Sequence, residues 1–361
     1  MSTTTTPSMN PVQLYHTAWT RVMNGFIHEK RLAAVREWEH RFDARIVTFS
    51  DAIYHINQLV ESLDDRYTFL KEPRVSMVSS TTPGGAPDAV PTNVHGENIP
   101  GVARSRMLDN QVGYVSWSSF NGDDTPLQVM RAMKAIRHAK AFVVDLRGNL
   151  GGSVWNAGML LSLFIDEGEG WSLIKRDVDL GYCKYVFTVR KKDVEQVITY
   201  DDGHPTKRGL WERLPNIAGN KPVVLLVDET SASASEVFAA TLRDHNRITI
   251  VGCKSRGKGI AQYTYELGAG YELQLTDGFA LPPSGYFLGD GGQTIANGLV
   301  PDVEVTRGIF SDNQLKAAVD HLYNRPQRQT APSQNGSGMG LVLAAGAIGL
   351  ALLAGSRQAR A

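Results

Sequence analysis

The sequence predicts an α/β protein: a mostly parallel sheet covered by helices on both faces, behind a helical N-terminal segment. Two observations carry this. Continuous apolar runs of strand length, residues 141–146 and 223–227, alternate with amphipathic segments. Strands that are apolar on both sides belong to a sheet buried on both sides. In addition, residues 11–70 place Leu32, Val35, Trp38, Phe42, Ile46 and Phe49 at steps of three and four, with almost no Gly or Pro. That period is helical.

Residues 1–10 are Ser/Thr-rich and uncharged, and read as a disordered start without the basic, apolar pattern of a signal peptide. Residues 11–75 form the predicted helical domain, closing on Leu63, Asp65, Tyr67 and Leu70. Residues 76–105 turn to Ser, Thr, Gly, Pro and Asn and read as a linker. A core follows over 106–325. It contains a strand at 113–117, a helix at 127–138, the strand at 141–146, and a glycine turn with a helix at 156–164. The strand at 223–227, a helix at 233–243 and a strand at 248–251 complete the alternation. The mixed, polar stretch 171–220 matches no template. Residues 326–337 read as a tether. Residues 338–355 carry no charge and end just before Arg357 and Arg360. A bilayer core takes about 20 apolar residues, so this run is a candidate membrane anchor whose sidedness the sequence leaves open.

Composition excludes some classes. The 361 residues are 42% hydrophobic, enough for a sizeable core, and Lys plus Arg equals Asp plus Glu at 37 each. A nucleic-acid binder shows a basic excess, so none is expected as a partner. Cys183 and Cys253 lie far apart with no His or Cys at metal-ligand spacing, and read as two free thiols.

Three segments carry candidate chemistry. The first, Asp145-Leu146-Arg147-Gly148-Asn149-Leu150-Gly151-Gly152, follows a buried strand. Glycines turn the backbone sharply and present bare N–H groups, which can hold a developing oxyanion. On spacing alone the better reading is an ordinary strand-to-helix turn. The second, residues 228–236, delivers Ser231, Ser233 and Ser235 at the start of a helix, with Glu236 completing a capping box with Ser233. Capping does not choose among the three serines. In the third, residues 252–262, Lys258 stands between Gly257 and Gly259. Burial lowers a lysine's pKa and so makes it a base. A solvated loop lysine is the ordinary alternative. His95, His204 and His245 sit in loop or helix-end contexts, and no Gly-x-Ser-x-Gly elbow exists to pair with them.

In this order and spacing the segments resemble the carboxyl-terminal processing, or tail-specific, serine proteases. The resemblance covers about residues 106–323 and rests on residues 113–120, 145–152, 230–236, 257–262 and 298–303, with 63–70 ahead of them. It implies a crotonase/ClpP-like ββα spiral core preceded by a small helical domain. It also implies hydrolysis of protein or peptide substrates by a Ser/Lys dyad through an acyl-enzyme. The family nucleophile corresponds to Ser233 and the family base to Lys258, with Gln262 orienting the lysine. Ala234 and either Gly151 or Gly152 would supply the oxyanion N–H groups. No metal or organic cofactor is implied. The same fold also serves non-catalytic ligand binding or scaffolding in a related family, which would predict loss of the serine or the lysine; both are present. Family members usually carry a PDZ domain of roughly 80–90 residues between the helical segment and the core. Only residues 76–105 stand there in this chain.

Overall fold

The computed structural model describes residues 9–73, 103–291, 293, 295 and 297–324. Of the linker read at 76–105, residues 76–102 lie outside the described residues, as do the tether and the candidate anchor 338–355, while residues 103–105 belong to a strand. No helix of the described residues is long and apolar enough to cross a membrane.

The parallel sheet is present and carries the site. It contains β2 (Ala103–Met107), β3 (Val112–Trp117), β4 (Ala141–Asp145), β9 (Val223–Val227), β10 (Thr249–Gly252) and β13 (Val303–Glu304), in the order β13-β10-β9-β4-β3-β2. All its pairings are parallel except β2 with β3. Both faces are covered, as the continuous apolar runs require. Phe142, Val144 and Leu225 pack with α3 (Thr125–Ala135), α4 (Val154–Leu161) and α5 (Ala234–Asp244). Val143, Val224 and Leu226 pack on the other side with Ala318 and Leu315 of α6 (Asn313–Asn324). Each such fully buried side chain contributes roughly 1.5–3 kcal/mol, so a charge is costly on either face. A buried ion pair staples the site's turn to α6. The Arg147 guanidinium meets Asp145 at 2.6 Å and Asp312 at 2.7 Å.

The unplaced stretch 171–220 belongs to a second, antiparallel sheet. Its strands are β1 (Phe69–Lys71), β5 (Gly168–Asp177), β6 (Gly181–Val189), β7 (Asp193–Tyr200), β8 (Lys207–Glu212), β11 (Ile260–Gly268) and β12 (Tyr271–Leu281). The core is therefore not one mostly parallel sheet. The reason the sequence hides this is burial: of β7 and β8, only Val194 is fully buried. Strands with so little inward surface carry weak alternation.

The N-terminal layer is less helical than its periodicity suggests. Helix α1 (Pro11–Gly25) begins at an Asn10/Gln13 capping box, so Asn10 belongs to the helix start and not to a disordered tail. Helix α2 (Phe49–Glu61) begins at a Thr48/Asp51 box. Between them the chain winds in 3₁₀ turns at Glu29–Ala34 and Asp43–Arg45. The N–H groups of Val35, Trp38 and Arg41 bond back three residues, to Leu32, Val35 and Trp38. Over Leu32, Val35 and Trp38 the apolar step is three residues, the 3₁₀ period, which fits the departure there. This layer shares one core with the second sheet: Leu14, Tyr15, Ile56 and Leu59 pack with Leu267, Leu273 and Leu275.

Candidate active site

The site forms where β4 and β9, adjacent and parallel, release the chain at their C-terminal ends. Two turns meet there: 145–152 after β4, and 228–233 after β9. Both are tied by buried polar groups. Asp228 Oδ1 accepts from the N–H groups of Gly148, Thr230 and Ser231 at 3.0–3.1 Å. Asn149 donates to the Trp117 carbonyl at 2.8 Å, and its Oδ1 accepts from Gly151 N–H at 2.9 Å and from Ser235 Oγ at 2.8 Å.

These bonds decide among the three serines. Ser231 is buried, and its hydroxyl donates to the Leu146 carbonyl at 2.8 Å. Ser235 is buried, and its hydroxyl bonds to Asn149. Both serve the turns. Ser233 is half-buried and stands at the start of α5 with φ 57° and ψ −121°. A capping serine uses extended backbone, so this is not an ordinary N-cap. It is a strained conformation for a residue with a Cβ, of the kind found at functional turns. The sharp strand-to-helix turn that Gly-x-Ser-x-Gly sequences provide is thus made here with Ser231 and Ser235 in the glycine positions and Ala232 and Ala234 beside the serine.

The small flanking residues permit a close approach. Gly151 has φ +96°, and a Cβ there would lie 2.6 Å from the Ala232 carbonyl oxygen and 2.8 Å from both Ala234 N and Ser233 Cβ. The glycine turn is therefore pressed against the serine turn. Of the two glycines, Gly151 spends its N–H on Asn149. Among the described residues Gly152 N–H has no partner, and Ala234 N–H, first in α5, has none within its helix.

Lys258 lies just before β11 and is half-buried. Its Nζ donates to Gln262 Oε1 at 3.1 Å and sits 4.7 Å from the centroid of the Tyr67 ring. The Gln262 Nε2 is buried without a partner among the described residues. Burial holds the Lys258 pKa below its ordinary value, and the Arg256 charge adds to this. Asp65 and Glu236 act in the opposite direction, and Arg66 lowers it further. The N-terminal layer thus reaches the lysine directly. Its 65–68 turn is held in place by Gln293, which donates to Asp65 at 3.0 Å and accepts from Arg66 N–H at 2.8 Å.

Sequence reading gave Glu236 only a capping role. The structure gives it a larger one. It is fully buried, and its carboxylate accepts from Ser233 N–H at 2.8 Å, Gly257 N–H at 2.7 Å, Lys258 N–H at 2.8 Å and the Ser255 hydroxyl. Burial raises its pKa, while these four bonds oppose the rise. One carboxylate therefore joins the serine turn to the lysine turn. The local signal, Glu three residues after Ser, was visible; the partners at 255–258 were not. Of the histidines, His204 pairs with Asp202 at 2.5 Å and His245 with the Glu169 carbonyl at 2.7 Å. His95 lies outside the described residues. Cys183 and Cys253 are both free thiols.

A parallel sheet and a second, antiparallel sheet, with a strained serine turn and a half-buried lysine near each other in the fold, define an α/β protein of the crotonase/ClpP-like fold. The chain belongs to peptidase family S41, whose family model matches residues 111–305. It is 31% identical over 196 residues to a "Probable CtpA-like serine protease" of Staphylococcus aureus, covering 54% of this chain and 33% of the relative. It is 29% identical over 208 residues to a carboxy-terminal-processing protease of Bartonella bacilliformis, covering 56% of this chain and 40% of the relative. The chain thus spans well under half the length of these curated relatives. Among solved structures it resembles a photosystem II D1 C-terminal processing protease, at TM-score 0.59 and 16% identity over 87% of this chain and 97% of that one. It also resembles a lipoprotein from Streptococcus agalactiae, at TM-score 0.58 and 12% identity over 90% of this chain and 99% of that one. At such identities the likeness speaks for the fold.

Proposed function

We propose that this protein hydrolyses peptide bonds of protein or peptide substrates, with Ser233 as nucleophile and Lys258 as general base. One observation carries the reading: Glu236 Oε2 accepts from the main-chain N–H of both residues, at 2.8 Å each, so nucleophile and base are held by a single buried atom. The protease names of the curated relatives support the same reaction class.

Neutral Lys258 Nζ takes the Ser233 hydroxyl proton as Oγ attacks the substrate carbonyl carbon. Gln262 engages the amine and fixes its direction. The oxyanion rests between the N–H groups of Ala234 and Gly152, the two left over by the turn bonding. Lys258 then gives its proton to the leaving amine, and an acyl-serine ester remains. Water, deprotonated by Lys258, attacks the ester, and Lys258 passes that proton to Ser233 Oγ as the C–O bond breaks and the acid product leaves. A serine-reactive phosphonate probe tests the reading: it should label wild type at Ser233 and leave Ser233→Ala unlabelled. No labelling of wild type would instead favour a non-catalytic binding protein on this fold.

The pH profile has a defined sign. Lysine is a base only when neutral, so kcat/KM should rise with pH through the Lys258 pKa. Burial and Arg256 depress that pKa, so the midpoint should fall below the ordinary 10.5. Arg256→Gln removes a neighbouring positive charge and should move the midpoint to higher pH. A profile flat from mildly acidic to alkaline pH would count against Lys258 as the base.

A further inference from the structure

We propose that His16, His40 and Asp43 form a binding site for a divalent transition-metal ion, with Zn²⁺ the best match, in the N-terminal layer away from Ser233. His16 lies on α1; His40 lies in the turn that packs against it, and Asp43 opens the 3₁₀ helix that follows. His16 Nε2 is 2.8 Å from Asp43 Oδ1, and His40 Nδ1 is 3.0 Å from Asp43 Oδ2. One ligand-type atom from each of the three residues lies within 4.8 Å of the others. Bonds of about 2.0–2.2 Å to a tetrahedral ion put neighbouring donors roughly 3.4 Å apart, so the two histidine–carboxylate contacts would open slightly and the widest donor pair would close to enclose one.

The donor chemistry selects the ion. Two imidazoles and one carboxylate suit zinc and its neighbours, whereas magnesium and calcium prefer all-oxygen sets. The Glu39 carboxylate lies 3.8 Å from His40 Nε2, on the ring nitrogen that ligation through Nδ1 would leave over. At that distance it makes no hydrogen bond, but a small side-chain rotation would supply the outer partner that metal-bound histidines commonly have. The framework is preorganised. Tyr15 Oη donates to the Trp38 carbonyl and Trp19 Nε1 to the Val35 carbonyl, each at 2.9 Å, fixing α1 against the 35–46 segment around His16. The buried Phe42 ring stacks on His55 with centroids 4.1 Å apart, which anchors the residue between His40 and Asp43. Three protein donors leave the remaining positions to water, and exposed His40 gives the ion an entry path. A bound ion would clamp α1 to the 35–46 segment of the layer whose 65–68 turn touches Lys258.

The full chain, stripped of metal by a chelator and dialysed, would be titrated with ZnCl₂ by calorimetry and with CoCl₂ by visible absorption. The expected result is one ion per chain, a tetrahedral Co²⁺ spectrum, and a melting temperature that rises with added Zn²⁺. His16→Gln, His40→Gln and Asp43→Asn should each weaken binding at least about 10-fold. His204→Gln, on an exposed hairpin, should bind as wild type. His40 is exposed, so its variant tests the site without threatening the fold. An absence of heat and of any melting shift, or undiminished binding by the His16 and His40 variants, would overturn the proposal and leave two histidine–carboxylate pairs.

Discussion

Ser233→Ala and Lys258→Ala are each expected to lower kcat roughly ten-thousand-fold or more, with the double variant little worse than either single one. Groups that act in one proton transfer lose their effect together, so their losses do not add. The serine variant is a clean test. Alanine carries the same Cβ as serine, so the strain at φ 57° is unchanged and only the hydroxyl is lost. For the lysine, Lys258→Arg separates two roles. Arginine keeps the positive charge and much of the stem beside Tyr67 but does not deprotonate in proteins. A lysine needed only as a cation would be rescued by arginine; a lysine needed as a base would not. Initial rates on an unfolded protein substrate, with fragments identified by mass spectrometry, measure this. Activity retained in Lys258→Arg would rule out the lysine as the base and leave it at most a role as a cation.

Glu236→Ala is expected to be the most damaging change outside the dyad, with losses in both stability and turnover. It leaves the Ser233, Gly257 and Lys258 N–H groups and the Ser255 hydroxyl without their acceptor. A buried donor left unsatisfied costs about 1–3 kcal/mol, so a loss of roughly 3 kcal/mol or more is expected even if water replaces part of the network. Glu236→Gln keeps the volume and one acceptor oxygen but points an NH₂ group at N–H donors. It should fold with a smaller stability loss and still lower kcat roughly 100-fold, because a displacement of about 1 Å between reacting groups costs that much. Urea midpoints and steady-state kinetics on both variants measure the two effects separately. A Glu236→Gln enzyme with normal kcat would show that the carboxylate's bridge between the turns is structural only.

The parallel half of the fold was legible because β4 and β9 are buried on both faces and had no choice but to be apolar throughout. The antiparallel half was not, since its outer strands bury almost nothing. The 3₁₀ segment was read as α-helix because a three-residue apolar step occurs in both periods, and only the hydrogen bonds distinguish them. Ser233 and Lys258 stood out by resemblance, yet local pattern alone left Ser231, Ser233 and Ser235 equal and Gly151 and Gly152 interchangeable. Folding separated the serines through partners distant in sequence, Leu146 for Ser231 and Asn149 for Ser235, while a bond inside the glycine turn, from Gly151 N–H to Asn149, separated the two glycines. The same holds for Glu236, whose cap was written three residues away while its other partners came from the next turn. Local order in this chain follows from periodicity and capping, which act over a few residues and are written in composition. Which hydroxyl, which N–H and which carboxylate meet at the site follows from long-range packing. Burial there leaves each polar group only the partners that the fold brings within about 3 Å.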